Sequence, residues 1–145
     1  MDFIPIMNRA TPVAQSMTLI AGRMITSTSG TISSYDVRGG SIVITKTGGK
    51  TGRYTFTLQA GTNTPVTSHI FLGLYVNIIG PDDAAIANSK GIIPFIRDID
   101  TGESADDGTV EIQFVISTAT GQADTELADG AGFTFLMVLG NKVSG

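Results

Sequence analysis

The chain has no cysteine and no tryptophan in its 145 residues, a single histidine, and only 15% charged residues. Each shortage closes off a class of function. Without cysteine there are no disulfides and no thiolate metal sites. Without tryptophan, and with only three tyrosines, the kit for stacking on sugars is poor. A formal net charge of −4 and a pI near 4.7 argue against a nucleic-acid binder that works by neutralising phosphates. No apolar run approaches the roughly 20 residues that a membrane-spanning helix needs. Residues 1–9 lack the basic start and long apolar core of a signal peptide, so the expectation is a soluble product of a reducing cytoplasm.

What the chain does hold is glycine, threonine and alternation. The charged share sits well below the usual quarter or so, while 18 glycines and 41% hydrophobic residues suit an all-β chain with many turns. A hydroxyl-rich, weakly charged surface is poorly soluble as a free monomer, which predicts that part of it is covered by a partner. The clearest stretch is Gly52–Leu58. Tyr54, Phe56 and Leu58 alternate with Arg53, Thr55 and Thr57, so three large apolar side chains share one strand face. Ser41–Thr47 reads as its hairpin partner, with the turn in Gly48–Gly52.

Residues 1–30 read either as an N-terminal arm with one short strand near Met17–Ile25, or as a first strand of the sandwich, and residues 31–145 as the β-sandwich domain. Further strands are expected at Thr31–Val37, His69–Ile79, Gly91–Arg97, Thr109–Ser117 and Ala131–Gly140. Both faces of His69–Ile79 are apolar, which predicts cover from the second sheet and from a neighbour or the arm. Pro94 suggests an edge or a bulge. Ala84–Ser89 suits one short helical turn capped by Asp82 or Asp83. Asp98–Gly108 and Ala119–Gly130 read as loops. Roughly seven or eight strands without a long amphipathic helix predict a single-domain antiparallel β-sandwich, jelly-roll-like, with an N-terminal arm.

Chemistry is thinly signalled. His69 has no Gly-x-Ser-x-Gly elbow to serve and reads as a strand-edge residue. Asp98, Asp100, Glu103, Asp106 and Asp107 gather in a loop, away from the aromatic cleft a glycosidase requires. Asp98-Ile99-Asp100-Thr101-Gly102-Glu103 alternates oxygen ligands before a glycine, as calcium loops do, but lacks the rest of that pattern and reads as a solvated turn. Gly48-Gly49-Lys50-Thr51-Gly52 lacks the spacing and the following helix of a phosphate loop. Arg38, Lys46, Lys50 and Arg53 form a modest basic group that could meet an acidic surface. No catalytic residue, cofactor or metal is expected.

The order of an Ile-Val-Ile strand, a Gly turn, Gly52-Arg53-Tyr54-Thr55-Phe56-Thr57-Leu58, a long apolar strand and Asp107-Gly108-Thr109-Val110-Glu111-Ile112 supports a family likeness. With the ending Phe133-Thr134-Phe135-Leu136-Met137-Val138-Leu139-Gly140-Asn141, it resembles the small β-sandwich structural proteins of tailed bacteriophages that decorate or cement the capsid. The likeness covers about residues 40–141. It implies a non-enzymatic virion component, commonly a trimer, made in the host cytoplasm and seated on the outer capsid surface against the major capsid protein. No binding residue carries over from it. On the reading of the residues themselves, Phe3, Ile4 and Ile6 of the arm are the first candidates for capsid docking, by strand addition or as apolar anchors. A trimeric receptor- or glycan-binding fibre head is the alternative role for the same fold.

Overall fold

The computed structural model describes residues 17–40, 42–58, 69–100 and 108–141. They form two facing antiparallel sheets. One has four strands in the order β2-β1-β9-β5: β1 (Met17–Thr26), β2 (Ile32–Arg38), β5 (His69–Ile79) and β9 (Gly132–Asn141). The other has five: β3 (Ile42–Lys46), β4 (Arg53–Leu58), β7 (Gly108–Thr118) and β6 (Ile92–Asp100) in that order, with β8 (Gly121–Asp124) also paired to β7. One short helix, α1 (Asp83–Asn88), links β5 to β6 and so carries the chain from one sheet to the other. No helix among the described residues is long and apolar enough to cross a membrane. The architecture is the all-β sandwich that the alternation predicted.

The hairpin forms as expected. Ile42 opposes Leu58, Ile44 opposes Phe56 and Lys46 opposes Tyr54. Tyr54, Phe56 and Leu58 are buried while Arg53, Thr55 and Thr57 are only half-buried, so period-two patterning becomes one buried face. Across the gap, Phe133, Phe135, Met137 and Leu139 of β9 meet that face, and Ile20 and Met24 of β1 join them. The centre is aromatic: Phe133 lies 5.4 Å from Phe114, 5.9 Å from Tyr54 and 6.0 Å from Phe56, between ring centroids. The Tyr54–Phe133 pair is edge-on, the arrangement favoured by ring quadrupoles.

Several expectations are refined. Residues 17–26 are a strand held between β2 and β9, where both readings expected one, and residues 1–16 lie outside the described residues. β1 pairs with β9 from Met17↔Gly140 to Ile25↔Gly132, joining the start of the described chain to its end. Asp82 caps α1, its Oδ1 accepting from Ala85 N–H at 2.8 Å. β6 lies at the edge of its sheet and carries an irregularity between Ile96 and Asp98, in line with the reading of Pro94. That strand runs on to Asp100, so Asp98 and Asp100 belong to a strand and not to a loop. Residues read as the loop 119–130 contain β8, whose four residues are all exposed and carry no hydrophobic signal.

β5 departs from simple alternation. A bulge between Phe71 and Gly73 inserts Leu72, so Phe71, Leu74, Val76 and Ile78 turn towards the core. Leu72 and Tyr75 are left exposed, and the expected second cover over this strand is not found among the described residues.

Candidate functional site

The exterior of the four-stranded sheet carries the feature that best distinguishes this surface. Cross-strand rows follow from the register: Arg38–Ala21–Leu136–Tyr75, with the charged Arg38 at the β2 edge, then Leu19–Val138–Gly73, then Met17–Gly140. Tyr75 is 64% exposed, Leu19 56% and Leu72 54%, and Met17 and Leu136 are exposed too. β9 is apolar on both faces from Phe135 to Leu139, and the Leu72 bulge adds one more apolar side chain at its border. Two glycines shape the surface. A Cβ on Gly140 would sit 3.2 Å from Leu72 Cδ1, and one on Gly73 would sit 3.5 Å from the Tyr75 ring, so both large side chains lie close against bare backbone. The next row, Asp36–Arg23–Thr134–Asn77, is polar and closes the stripe on one side. Strands about 4.8 Å apart with same-face residues about 6.8 Å apart make this a contiguous patch, where isolated exposed apolar residues would need no explanation.

The exterior of the five-stranded sheet combines an internally paired polar network with exposed apolar side chains on its edge strand β6, Ile93 and Phe95 among them. Arg97, pushed out by the β6 irregularity, donates from NH1 to Gln113 Oε1 at 2.9 Å, and its Nε lies 3.7 Å from Glu111 Oε1. Gln113 Nε2 in turn donates to Asp124 Oδ1. Arg53 NH2 donates to Asp124 Oδ2 at 3.4 Å, with NH1 4.0 Å from Glu111 Oε1. Thr47 Oγ1 donates to Glu111 Oε2 at 3.0 Å. The network ties β4, β6, β7 and β8 together, while Arg53 Nε is buried without a partner. β8 contributes Asp124, which sequence reading left in a loop. Nothing in Gly121–Asp124 alone announces it, because its pairing is decided by β7.

A third cluster lies at the sandwich end. Tyr54 OH donates to Gly30 O at 2.6 Å in a buried setting. Lys46 Nζ donates to Glu126 Oε1 at 2.5 Å and also to Ser29 O. Glu126 Oε2 is buried without a partner. The Tyr54 phenol is pushed well above the ordinary tyrosine range, first by burial and second by the charge of Glu126. A raised folded-state pKa means the folded form holds its proton longer than the unfolded form. The stability this contributes is complete below the unfolded tyrosine pKa of about 10 and is lost as pH rises beyond it, at about 1.4 kcal/mol per pH unit. Tyr54→Phe is therefore expected to flatten the fall in stability over roughly the first one to two pH units above the unfolded tyrosine value, as read by urea unfolding. At pH 7 the same variant is expected to lose about 1–3 kcal/mol, because Gly30 O is left buried without its donor.

The structure disperses the basic group that sequence proximity suggested. Arg38 pairs with Asp36 at 3.2 Å on the other sheet, Lys46 with Glu126, and Arg53 with Asp124, while Lys50 is exposed in the turn. His69 begins β5 opposite Asn141. Asp98 stands opposite Glu111 and Asp100 opposite Thr109 in the β6–β7 pairing. Glu103, Asp106, Asp107 and the docking candidates Phe3, Ile4 and Ile6 lie outside the described residues. Among the described residues no group of three or more His, Asp or Glu side chains is placed to hold a metal ion. Comparison of the chain with protein-family models, curated proteins and solved structures returns no match.

Proposed function

We propose that this chain is a virion structural protein of the capsid decoration, or cement, kind. In this reading it is not an enzyme. It adheres to the major capsid protein on the outer head surface, as a trimer, and stabilises the shell. The observation that carries the reading is the apolar stripe of Leu19, Leu136, Leu72 and Tyr75 on one sheet exterior, bordered by Asp36, Arg23 and Asn77. Covering such a stripe removes apolar area from water at about 25 cal/mol per Å², a modest gain per copy that accumulates over a shell of many copies. The likeness of residues 40–141 to decoration proteins supports the same role.

The test is retention on purified mature shells of the virus that encodes the chain. The protein is expected to sediment with them and to raise the temperature at which they rupture. Tyr75→Asp and Leu136→Lys are expected to abolish retention while changing folding stability by no more than about 0.5–1 kcal/mol, since both side chains are exposed. A protein that stays in the supernatant and leaves heat resistance unchanged would sink the proposal. Binding to arrayed glycans in place of shells would move the chain to the fibre-head role.

A further inference from the structure

The passage from β5 through α1 to β6 borders a partly open hollow of about 460 Å³ that the adhesive role does not use. Its walls are Ile78 and Ile79 from the end of β5, Ile86 from α1 and Ile92 from β6. Ile86 is braced against bare backbone, since a Cβ on Gly80 would meet its Cγ1 at 2.8 Å. Two polar groups border this apolar lining, Ser89 and Lys90. Ser89 is only 6% exposed, and its hydroxyl is buried with no hydrogen-bond partner. Its backbone is fully engaged: the N–H donates to Ala85 O at 3.1 Å, and the carbonyl accepts from Ile92 N–H at 3.3 Å. A buried hydroxyl without a partner costs about 1–3 kcal/mol, so its place beside a hollow calls for an explanation.

Lys90 is exposed at the rim, and no described carboxylate pairs with it. The acids of this connection, Asp82 and Asp83, stand at the opposite end of α1, where Asp82 is occupied in capping. The polar hollow on the other sheet, about 390 Å³ beside Arg97, Gln113 and Asp124, differs in kind. There both ends of the Gln113 amide are already bonded to its neighbours.

We propose that the hollow between α1 and the ends of β5 and β6 binds a small amphipathic molecule with an apolar body and one anionic end, a medium-chain carboxylate being the simplest case. The four isoleucines take the hydrocarbon, Lys90 meets the carboxylate, and Ser89 Oγ–H donates to the same oxygen set once the site is filled. The volume lies within the roughly 300–1,000 Å³ of small-molecule sites and exceeds what a single side chain needs. The proposal is independent of the capsid role, and its test uses no shells.

The probe is sodium octanoate added to the full chain, read by methyl NMR at the isoleucines. Saturable shifts confined to Ile78, Ile79, Ile86 and Ile92 are expected, with a Kd below about 1 mM. Octylamine is expected to bind at least about tenfold more weakly, and Lys90→Glu to weaken octanoate by about tenfold, because each places a wrong charge at the rim. Ile86→Trp, at a half-exposed position, is expected to fill the hollow and remove binding. Shifts that stay linear in octanoate, or spread over the whole sheet, would overturn the proposal. So would equal affinity for octanoate and octylamine, or affinity unchanged by both Lys90→Glu and Ile86→Trp.

Discussion

Gly52→Ala is expected to cost about 3–5 kcal/mol, while Gly49→Ala, three residues earlier in the same turn, costs about 1–2 kcal/mol. Both glycines have left-handed backbone, φ +63° and +66°, so both substitutions carry the same conformational penalty. Their surroundings separate them. A Cβ on Gly52 would stand 2.0 Å from Thr125 O and 3.0 Å from Phe114 O, whereas one on Gly49 meets nothing within 4 Å. Gly52 O also accepts from Phe114 N–H at 2.8 Å, and Phe114 O accepts from Thr125 N–H at 3.0 Å. This is where β4 gives way to β8 along one side of β7, and backbone there cannot retreat without breaking the sheet. Urea unfolding of the two variants checks the contrast; equal losses would show that conformation alone, and not crowding, governs the turn.

Phe133→Ala is expected to cost about 3–5 kcal/mol, enough to remove a large part of the stability of an ordinary domain. Phe133 is fully buried and touches aromatic rings from both sheets: Tyr54, Phe56 and Phe114 on one, and Phe135 beside it on its own strand. Deleting the ring leaves a cavity whose walls are held by two separate hydrogen-bonded ladders, so collapse is restricted. Phe133→Leu keeps most of the apolar volume and is expected to lose less than half as much. Thermal and urea melts of the pair test this. Similar small losses in both would mean that the sheets can close over the gap.

The parts of this fold that were legible in sequence are those decided by neighbours along the chain. Tyr54, Phe56 and Leu58 face inward because pleating sends every second side chain the same way. Asp82 caps α1 because a short acceptor before a small-residue run can reach the third N–H. Other features needed a partner strand. β8 exists because β7 continues past the end of β4 and offers free backbone to Gly121–Asp124. Asp98 and Asp100 join a strand because β7 pairs with β6 as far as Thr109. Leu72 faces outward because a bulge breaks the period, and hydropathy does not register a bulge in a run that is apolar throughout.

The amino-acid order alone determined the all-β class, the hairpin around Gly52 and the membership of the inner face, since alternation and turn chemistry act within a few residues. Tertiary structure decided that β1 lies against β9, with more than 100 residues between Met24 and its partner Phe133. It also decided that basic side chains close in sequence find acids on separate segments of the chain, and that Leu19, Leu136 and Tyr75 from three strands meet on one exterior. Hydrogen-bonded pairing between distant segments places a side chain beside residues that local patterning cannot name, and the apolar stripe arises from that long-range register.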